Sequence, residues 1–435
     1  MNLTSSKAEN LHGEVTCPGD KSISQRILII GSFLNCDMSI TGFLDAEDPN
    51  STMMALNKVG SLIRKDNEIV FIEKREESFK ESMTDLDLGN SGTGIRLITG
   101  FLSGININAK LIGDESLSKR PMSRIVDPLK MMGKKISSNE GKTPIEILGG
   151  KINKNFKYKM PIASAQVKSS LILASLCSGN SIKIEEPKVT RDHTEKMIEY
   201  FGGNIESKDK NNGKVIFLKK SVLKKISSYG VVGDFSSAAF IIVSALISNN
   251  SHVLIKNVGL NETRSGLLNI LVKMGANIRI KNKRETCNEL CGDVLVKSSK
   301  LTGVEIPSKI VPNIIDEIPI LSIAASFADG QTVIRNASEL KVKESDRLSA
   351  ISLGLRAIKI DHALLDDGLI IEGRNKDIEC IDTIDSFGDH RIAMSFLISG
   401  IRSKNGVHVK DCNNIKTSFP NFISVMNNLG MNIHE

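Results

Sequence analysis

A motif that recurs six times along the chain constrains its fold more than any other feature. Each copy is an apolar stretch, rich in small residues, with a polar or small residue at its start or directly before it. The copies recur about every 70 to 80 residues. A polar opening and a closing Gly or Asn are typical of helix caps, so each copy predicts a helix. The six copies are KSISQRILIIGSFLN, SGTGIRLITGFLSG, SAQVKSSLILASLCSG, FSSAAFIIVSALIS, DEIPILSIAASFADG and GDHRIAMSFLISG.

A second helix-ending pattern, apolar–Gly–x–x–Ile, recurs with the same spacing. Both series share one long interval, between the fourth and fifth copies, where KNKRETCNELCGD predicts an enlarged hairpin. Short β-branched runs such as NEIVFIE and GVHVKD lie between the helices and predict strands. We therefore expect an α/β fold made of six units, each with two helices and several strands. The glycines of the second series are Gly60, Gly133, Gly202, Gly275 and Gly430, with Ala357 assigned to the glycine position of the fifth copy.

Charged and hydroxyl side chains cluster at the starts of these helices. The first helix of each unit is apolar nearly all round, which predicts burial inside a domain. The N-terminus of a buried helix is a natural anion site, whereas a cation there is unfavourable unless an anion offsets it. Arginine forks suit phosphate and carboxylate, so the set predicts an anionic ligand. Its members are Lys21, Ser22, Ser24, Arg26, Arg96, Arg120, Ser164, Gln166, Lys168, Arg191, His193, Asp316, Glu317, Lys343, Glu344, Arg347, His390, Arg391 and Lys416.

Taken singly, these residues also fit ordinary structural roles. A lone Lys or Arg is usually solvated, and the glycine-rich GNSGTG is a weak phosphate-loop signal. His193 fits a capping or surface histidine, and a structural role for His390 stays open. Asp316 and Glu344 could be charges that favour a helix N-terminus. The prediction of an anion site therefore rests on the set.

Composition narrows the function class. The 435 residues suggest two or three domains, and the formal net charge of +7 fits an anionic small molecule better than nucleic acid. The chain has no Trp and three Tyr, so stacking platforms for single strands are not expected. Neither a Walker motif nor a metal-ligand spacing occurs, and we expect neither metal nor other cofactor. The seven scattered cysteines predict free thiols, with Cys287 and Cys291 only a weak zinc signal.

The polar start of the chain and its short apolar runs predict neither a signal peptide nor a membrane span. We therefore expect a cytoplasmic protein that binds neither membrane nor nucleic acid, and we expect a monomer.

Nine motifs in order along some 400 residues resemble one family. They are PGDKSIS, GNSGTGIRL, GD-x-SL-x-x-RPM, SAQVKS, GD-x-SSAAF, DE-x-P, ELKVKESDR, DHRIAM and KTSFPNF. Together they are similar to the EPSP synthases, the 3-phosphoshikimate 1-carboxyvinyltransferases. The resemblance implies a two-domain inside-out α/β barrel built from six βαβαββ-type repeats, whose buried helices point their N-termini at the interdomain cleft. It also implies one domain over 20–233, a second from 1–19 plus 234–435, and a hinge near 18–20 and 233–235.

The reaction that the resemblance implies moves the enolpyruvyl group of phosphoenolpyruvate to the 5-hydroxyl of shikimate 3-phosphate and releases phosphate. It belongs to the shikimate pathway, which leads to chorismate and the aromatic amino acids, and is the target of glyphosate. A base must act at the hydroxyl and an acid at the methylene carbon. By motif, Asp316 matches the base, Glu344 the acid/base at the methylene, and Lys21 contacts both substrates.

Further residues match binding positions of the family. The shikimate-phosphate set is Lys21, Ser22, Arg26, Ser164, Ala165, Gln166, Asp316 and Lys343. The phosphoenolpyruvate set is Lys21, Gly92, Arg120, Gln166, Arg347, Arg391 and Lys416. Asn90 and Arg191 are additional candidates. Gln25 stands where many relatives have His, and we expect little effect because the flanking Lys21 and Arg26 remain.

Three alternatives are open from the sequence. The enolpyruvyltransferases that act on UDP-N-acetylglucosamine usually carry a cysteine in the loop matching GDESLSKRPM, although some use Asp. This chain has no cysteine between residues 37 and 176. An RNA 3′-phosphate cyclase would need ATP and a histidine nucleophile. A non-catalytic anion-binding protein would bind its ligands without turnover.

Overall fold

The computed structural model describes all 435 residues and contains 14 α-helices. The motif that recurs six times forms α1, α3, α6, α8, α11 and α13, and the second helix of each unit is α2, α5, α7, α9, α12 or α14. Short 3₁₀ segments cover Ser338–Val342, Gly400–Arg402 and Asn413–Thr417. The helices are α1 (Lys21–Leu34), α2 (Glu47–Lys58), α3 (Gly92–Ile105), α4 (Glu115–Ser118), α5 (Ser123–Met131), α6 (Ala165–Cys177), α7 (His193–Tyr200), α8 (Phe235–Ile247), α9 (Gly266–Lys273), α10 (Val311–Ile314), α11 (Ile318–Ser326), α12 (Arg347–Ala357), α13 (His390–Ser399) and α14 (Phe422–Asn428).

The strands form six small sheets, as six repeated units require. They are β1 (Leu3–Ser6), β2 (His12–Thr16), β3 (Met38–Thr41), β4 (Leu62–Asp66), β5 (Ile69–Glu73), β6 (Leu86–Asp87), β7 (Ala109–Ile112), β8 (Lys134–Asn139), β9 (Lys142–Gly150), β10 (Phe156–Lys159), β11 (Ile182–Glu186), β12 (Ile205–Lys210), β13 (Gly213–Leu218), β14 (Ser228–Gly230), β15 (His252–Gly259), β16 (Asn277–Thr286), β17 (Glu289–Lys297), β18 (Gly330–Ile334), β19 (His362–Leu365), β20 (Gly368–Gly373), β21 (Ile384–Asp385), β22 (Val407–Lys410) and β23 (Asn432–His434).

One sheet topology recurs. In the order β6-β7-β9-β8, for example, the first pair is parallel and the next two are antiparallel. The orders β14-β3-β5-β4, β10-β11-β13-β12 and β21-β22-β1-β23 repeat this pattern. The sheet β18-β20-β19 has three strands, and a parallel bridge between Glu305 and Val333 stands where its fourth would pair. The mixed α/β fold of repeated units is confirmed.

The chain divides into two compact units. The first unit contains Met1–Pro18, Gly233–Arg284 and Leu290–Glu435, and the second contains Gly19–Val232 and Glu285–Glu289. The segment Glu285–Glu289 is the tip of the hairpin formed by β16 and β17, whose strands of ten and nine residues confirm the enlarged hairpin. Its turn residues Cys287 and Asn288 both have positive φ, as a tight two-residue hairpin turn requires.

Three apolar helices lie buried in each unit. In the first unit these are α8, α11 and α13, and every residue of α8 is buried. In the second unit they are α1, α3 and α6. Helices α3 and α6 approach so closely that a Cβ added at Gly100 would lie 2.2 Å from the carbonyl oxygen of Ser170. The small residues of the motif therefore permit the close helix packing that buries it.

The glycines of the second series close their helices with a left-handed residue. Gly133 has a φ of +100°, and its N–H donates to the carbonyl of Lys130, three residues earlier. In the fifth sequence repeat the equivalent hydrogen bond runs from the N–H of Lys359 to the carbonyl of Arg356, and Lys359 has a φ of +56°. The assignment of Ala357 to the glycine position was therefore wrong by two residues, because Ala357 is the last residue of α12.

The structure contains no helix with both the length and the apolar character that a membrane span needs.

Candidate active site

Arg347 is the centre of a charged cluster in the first unit. It opens α12, its side chain is 1% exposed, and its guanidinium contacts three carboxylates. Nε donates to Asp389 Oδ2 at 2.7 Å, Nη1 to Asp316 Oδ1 at 3.2 Å, and Nη2 to Glu344. Burial acts to lower the pKa of Arg347, but Asp389, Glu344 and Asp316 outweigh it and raise that pKa above its ordinary value. The two proposed proton-transfer carboxylates are thus joined by one guanidinium.

Asp316 lies where several cations converge. It directly precedes the buried helix α11, whose N-cap is Glu317. Lys343 Nζ lies 3.3 Å from Asp316 Oδ1, and Arg391 Nη1 donates to the backbone oxygen of Asp316 at 2.9 Å. The structure therefore brings Asp316, Lys343, Glu344, Arg347 and Arg391 together. Lys416 lies exposed in the 3₁₀ segment Asn413–Thr417.

Two buried residues of this cluster had not been assigned to the site from the sequence. Asp389 is fully buried and also caps α13, because its Oδ1 accepts from the backbone N–H of Arg391 at 2.9 Å. Arg264 is 3% exposed and lies 3.1 Å from Asp234 Oδ1 and 3.4 Å from Glu317 Oε1. Asp389 sits inside the motif GDHR and could have been noticed as a cap, whereas nothing in the sequence around Arg264 pointed to the cluster.

In the second unit, α1 presents a lysine and an arginine. Asp20 caps this helix by accepting from Ile23 N at 2.8 Å, and Lys21 Nζ lies 2.9 Å from Asp48 Oδ2. Arg26 is buried, and its Nη1 donates to the backbone oxygen of Ser22 at 2.9 Å. The proposed substrate contacts of α1 thus lie within its first two turns.

Gln25 connects α1 to α2 and α3. Its amide donates to Ser91 Oγ at 2.6 Å and to Thr52 Oγ1 at 3.1 Å. Ser91 in turn caps α3 by accepting from Gly94 N at 3.0 Å. Gln25 is therefore a buried link that fixes the start of α3.

The start of α3 meets two arginines. A Cβ added at Gly92 would lie 2.8 Å from Arg120 Nη1 and 3.0 Å from Arg96 Nη1. Arg120 also donates to Asn90, and Arg96 Nη1 donates to Gln166 Oε1 at 2.9 Å. The absence of a side chain at Gly92 thus leaves room for both guanidinium groups beside the helix start, which suits a phosphate or carboxylate.

Helix α6 supplies a cap and a buried lysine. Ser164 caps it by accepting from Val167 N at 3.4 Å, and Ala165 is its first residue. Lys168 is 1% exposed and lies 2.8 Å from Glu195 and 3.2 Å from Glu186. Burial acts to lower the pKa of Lys168, but Glu195 and Glu186 outweigh it and raise that pKa. Lys168 is thus held inside the unit by two carboxylates.

Lys168→Met should lower the free energy of unfolding by about 3 kcal/mol, because it leaves Glu186 and Glu195 buried without their cation. Urea denaturation measures this change. The control is Lys119→Met, whose partner Glu115 is exposed, and it should leave the unfolding midpoint unchanged. An equal effect of both variants would contradict the structural role of Lys168.

In the cluster around Arg347 the cations are matched by carboxylates rather than crowded together. Around Arg347, the cations Arg264, Lys343 and Arg391 lie among five carboxylates, which are Asp234, Asp316, Glu317, Glu344 and Asp389. No group of three or more His, Cys, Asp or Glu side chains is arranged to hold a metal ion. The cluster around Arg347 is thus a network of charged hydrogen bonds that an anionic ligand can enter by exchanging partners.

Comparison with solved structures first defines the class. The enolpyruvyl transferase NikO from Streptomyces tendae shares the fold, with a TM-score of 0.75 over the whole chain and 98% of NikO, at 14% identity. At that identity the likeness shows the fold alone. EPSP synthase from Acinetobacter baumannii matches with a TM-score of 0.85 and 37% identity over the full length of both chains.

The relatives in sequence define the family. The family model of EPSP synthase (3-phosphoshikimate 1-carboxyvinyltransferase) matches residues 5–426. The 3-phosphoshikimate 1-carboxyvinyltransferase of Petrotoga mobilis is 44% identical over 431 residues, 98% of each chain. That of Legionella pneumophila is 42% identical over 437 residues, which cover 100% of this chain and 99% of the relative. The chain belongs to the EPSP synthase family.

Members of this family are transferases of the shikimate pathway that serve the biosynthesis of aromatic amino acids. They transfer the enolpyruvyl group of phosphoenolpyruvate to shikimate 3-phosphate. The family assignment decides for this activity over the nucleotide-sugar transferase, the RNA cyclase and the non-catalytic protein that the sequence alone left open.

Proposed function

We propose that Asp316 and Glu344 are the proton-transfer residues that act on shikimate 3-phosphate and phosphoenolpyruvate. The observation that carries the proposal is the contact of Arg347 with both Asp316 and Glu344, which fixes two carboxylates around one guanidinium. A carboxylate at the hydroxyl and another at the methylene carbon are what the reaction needs. Lys21 completes the proposed catalytic set. Its ammonium is held by Asp48.

In the first step, Asp316 takes the proton of the 5-hydroxyl while that oxygen bonds to C2 of phosphoenolpyruvate. Glu344 delivers a proton to the methylene carbon, which becomes a methyl group. The result is a tetrahedral ketal that still carries the phosphate. In the second step the C2–O bond to phosphate breaks, and the leaving phosphate takes up the proton that Asp316 accepted. The methyl group returns a proton to Glu344, and the enol ether forms.

The cations have two tasks in this scheme. Arg120, Arg347, Arg391 and Lys416 would bind the phosphate and carboxylate of phosphoenolpyruvate, with Gly92 and Gln166 beside them. Fixed cations near a departing phosphate stabilise the charge that develops there. When phosphoenolpyruvate occupies Arg347, Glu344 loses its present contact and is free to carry a proton.

Shikimate 3-phosphate would be bound by residues at the starts of α1 and α6 together with two from the first unit. Arg26 lies within the first two turns of α1, and Ser164 is the N-cap of α6. The backbone N–H groups at a helix start favour a phosphate. The proposed set is Lys21, Ser22, Arg26, Ser164, Ala165, Gln166, Asp316 and Lys343.

Phosphate release with different acceptors tests the proposal. The purified protein should release phosphate from phosphoenolpyruvate only when shikimate 3-phosphate is added, and not with UDP-N-acetylglucosamine. We expect full turnover after dialysis against EDTA, because neither metal nor cofactor takes part. Release with the nucleotide sugar alone would overturn the assignment.

Calorimetry adds a second test, on the order of binding. Glyphosate, as a mimic of phosphoenolpyruvate, should bind much more tightly once shikimate 3-phosphate is present. Equal affinity in its absence would argue for two independent anion sites. We further propose that the protein acts in the cytoplasm as a monomer, which sedimentation at micromolar concentration checks.

Gly92→Ala should raise the KM for phosphoenolpyruvate about tenfold, because the added methyl group would push against Arg120 and Arg96. The KM for shikimate 3-phosphate should change much less. Steady-state kinetics with each substrate varied in turn measures both. Gly89→Ala is an unsuitable control because Gly89 has a φ of +53°, so we choose Ser123→Ala, at the start of α5. An unchanged KM for phosphoenolpyruvate in Gly92→Ala would contradict the proposed role of this helix start.

A further inference from the structure

The tip of the long hairpin supplies a buried carboxylate to the start of α7. Glu289 Oε1 lies 2.7 Å from His193 Nδ1, and the two side chains are 3% and 2% exposed. His193 Nε2 is buried and has no hydrogen-bond partner, so the contact with Glu289 is what orients the ring. A buried carboxylate costs free energy unless it is paired, so the contact with His193 is needed to offset the burial of Glu289.

Other contacts of the tip support the same placement. Lys196 Nζ donates to the backbone oxygen of Asn288 at 3.1 Å, and Asn288 Nδ2 donates to the backbone oxygen of Lys196 at 3.4 Å. Gly230 N donates to Cys287 Sγ at 3.4 Å. The tip is therefore fixed against α7 and β14.

The residue after His193 holds Arg26. Arg26 Nε donates to Thr194 Oγ1 at 2.8 Å, and Thr194 Oγ1 donates to Ser169 Oγ at 2.7 Å. Arg26 Nη2 also donates to Ser169 Oγ at 3.1 Å. The plane of this guanidinium is thus set by a hydroxyl on the first turn of α7, next to the ring that Glu289 orients.

Glu289 also acts on Arg26 through its charge. The pKa of Arg26 is lowered to about 10, chiefly by burial and in part by Arg191, whereas Asp20, Glu195 and Glu289 oppose the shift. Asp20 and Glu195 lie on the segments that begin α1 and α7, whereas Glu289 arrives from a distant part of the chain.

We propose that Glu289 is a positioning residue for shikimate 3-phosphate. It fixes His193 at the start of α7 and so holds Thr194 against Arg26, which presents its guanidinium to the anionic substrate. The inference rests on the proposed function of Arg26. It assigns a role to the extra length of the fourth sequence repeat, whose longer hairpin carries Glu289 to α7.

The test is the substitution Glu289→Gln in the full-length enzyme. We expect the KM for shikimate 3-phosphate to rise about tenfold, since a neutral amide replaces the buried carboxylate that His193 contacts. The kcat and the KM for phosphoenolpyruvate, measured at saturating shikimate 3-phosphate, should stay within about twofold. The matched control is Glu285→Gln, because Glu285 lies exposed on the same tip, and it should behave as the wild type.

His193→Gln is the second variant and should raise the same KM by a similar factor. Since either substitution already breaks the contact between the two side chains, the double variant should be no worse than Glu289→Gln alone. Thermal unfolding of each variant shows whether the fold is intact. A general loss of folding would lower kcat along with affinity, which the separate KM and kcat values reveal.

Two outcomes separate this inference from the proposed function. Inactive wild-type protein would overturn the proposed function itself. Active wild-type protein, together with Glu289→Gln that binds shikimate 3-phosphate as the wild type does in calorimetry, would overturn the role of Glu289 alone. An equal fall in kcat and in affinity for both substrates would also overturn it, because it would indicate a structural defect.

Discussion

Glu344→Gln should lower kcat by about 10² to 10⁴-fold, the range that general acid–base catalysis contributes. The amide keeps the shape of the side chain but cannot deliver a proton to the methylene carbon or take it back. Binding of shikimate 3-phosphate should change little, because Glu344 is assigned to the other substrate. Stopped-flow and steady-state assays of phosphate release measure the loss.

The control for this variant is Glu372→Gln, which changes an exposed carboxylate on β20 of the same unit. It should retain full activity. Wild-type kcat in Glu344→Gln would remove this residue from proton transfer and leave its contact with Arg347 as its only role.

Asp316→Asn should lose turnover to a similar extent, with a smaller loss of affinity for shikimate 3-phosphate. The difference follows from its two proposed roles, as the base at the 5-hydroxyl and as a ligand of the substrate. Comparison of kcat with kcat/KM separates them, since a group that acts only in the transition state lowers both equally. A change confined to KM would make Asp316 a binding residue alone.

The sequence predicted the repeated framework well because that framework is local. Each apolar motif carries its own caps, and the spacing of the copies can be read directly from the amino-acid sequence. The mistaken position of Ala357 shows the limit of such reasoning. A left-handed residue after a helix is usually Gly, so the motif could not reveal that Lys359 takes this conformation in the fifth sequence repeat.

The partners of the charged residues could not be predicted, because they come from distant parts of the chain. Arg347 and Asp389 are separated by 42 residues, and Arg264 and Glu317 by 53. The sequence showed cations at helix starts and so predicted an anion. It could not show that carboxylates from distant segments contact those cations.

This pairing explains how a buried guanidinium is accommodated in the folded protein. An unpaired buried guanidinium is costly, whereas a paired one is tolerated. Arg347 with Asp389, Asp316 and Glu344 avoids that cost, and a substrate anion can replace Glu344 while Asp389 stays. Asp389 accepts hydrogen bonds both from the side chain of Arg347 and from the backbone N–H of Arg391. It therefore fixes the positions of these two proposed phosphoenolpyruvate contacts relative to each other.

Arg347→Met should lower the free energy of unfolding by about 3 to 5 kcal/mol, because three carboxylates then lose a buried cation. Urea denaturation measures the change. Arg335→Met is the control, since Arg335 is half exposed and lies 3.8 Å from Asp367, and it should shift stability by less than about 0.5 kcal/mol. Equal effects of the two variants would show that the cluster around Arg347 adds nothing to stability.

The double variant Arg347→Met/Asp389→Asn separates the structural role of Arg347 from its role in binding. Asparagine can still cap α13, while its neutral amide removes one of the stranded charges. Part of the lost stability should therefore return, but the affinity for phosphoenolpyruvate should not, because the guanidinium that binds it is still missing. Recovery of both would mean that Arg347 serves the fold alone and that Arg120 and Arg391 suffice to bind this substrate.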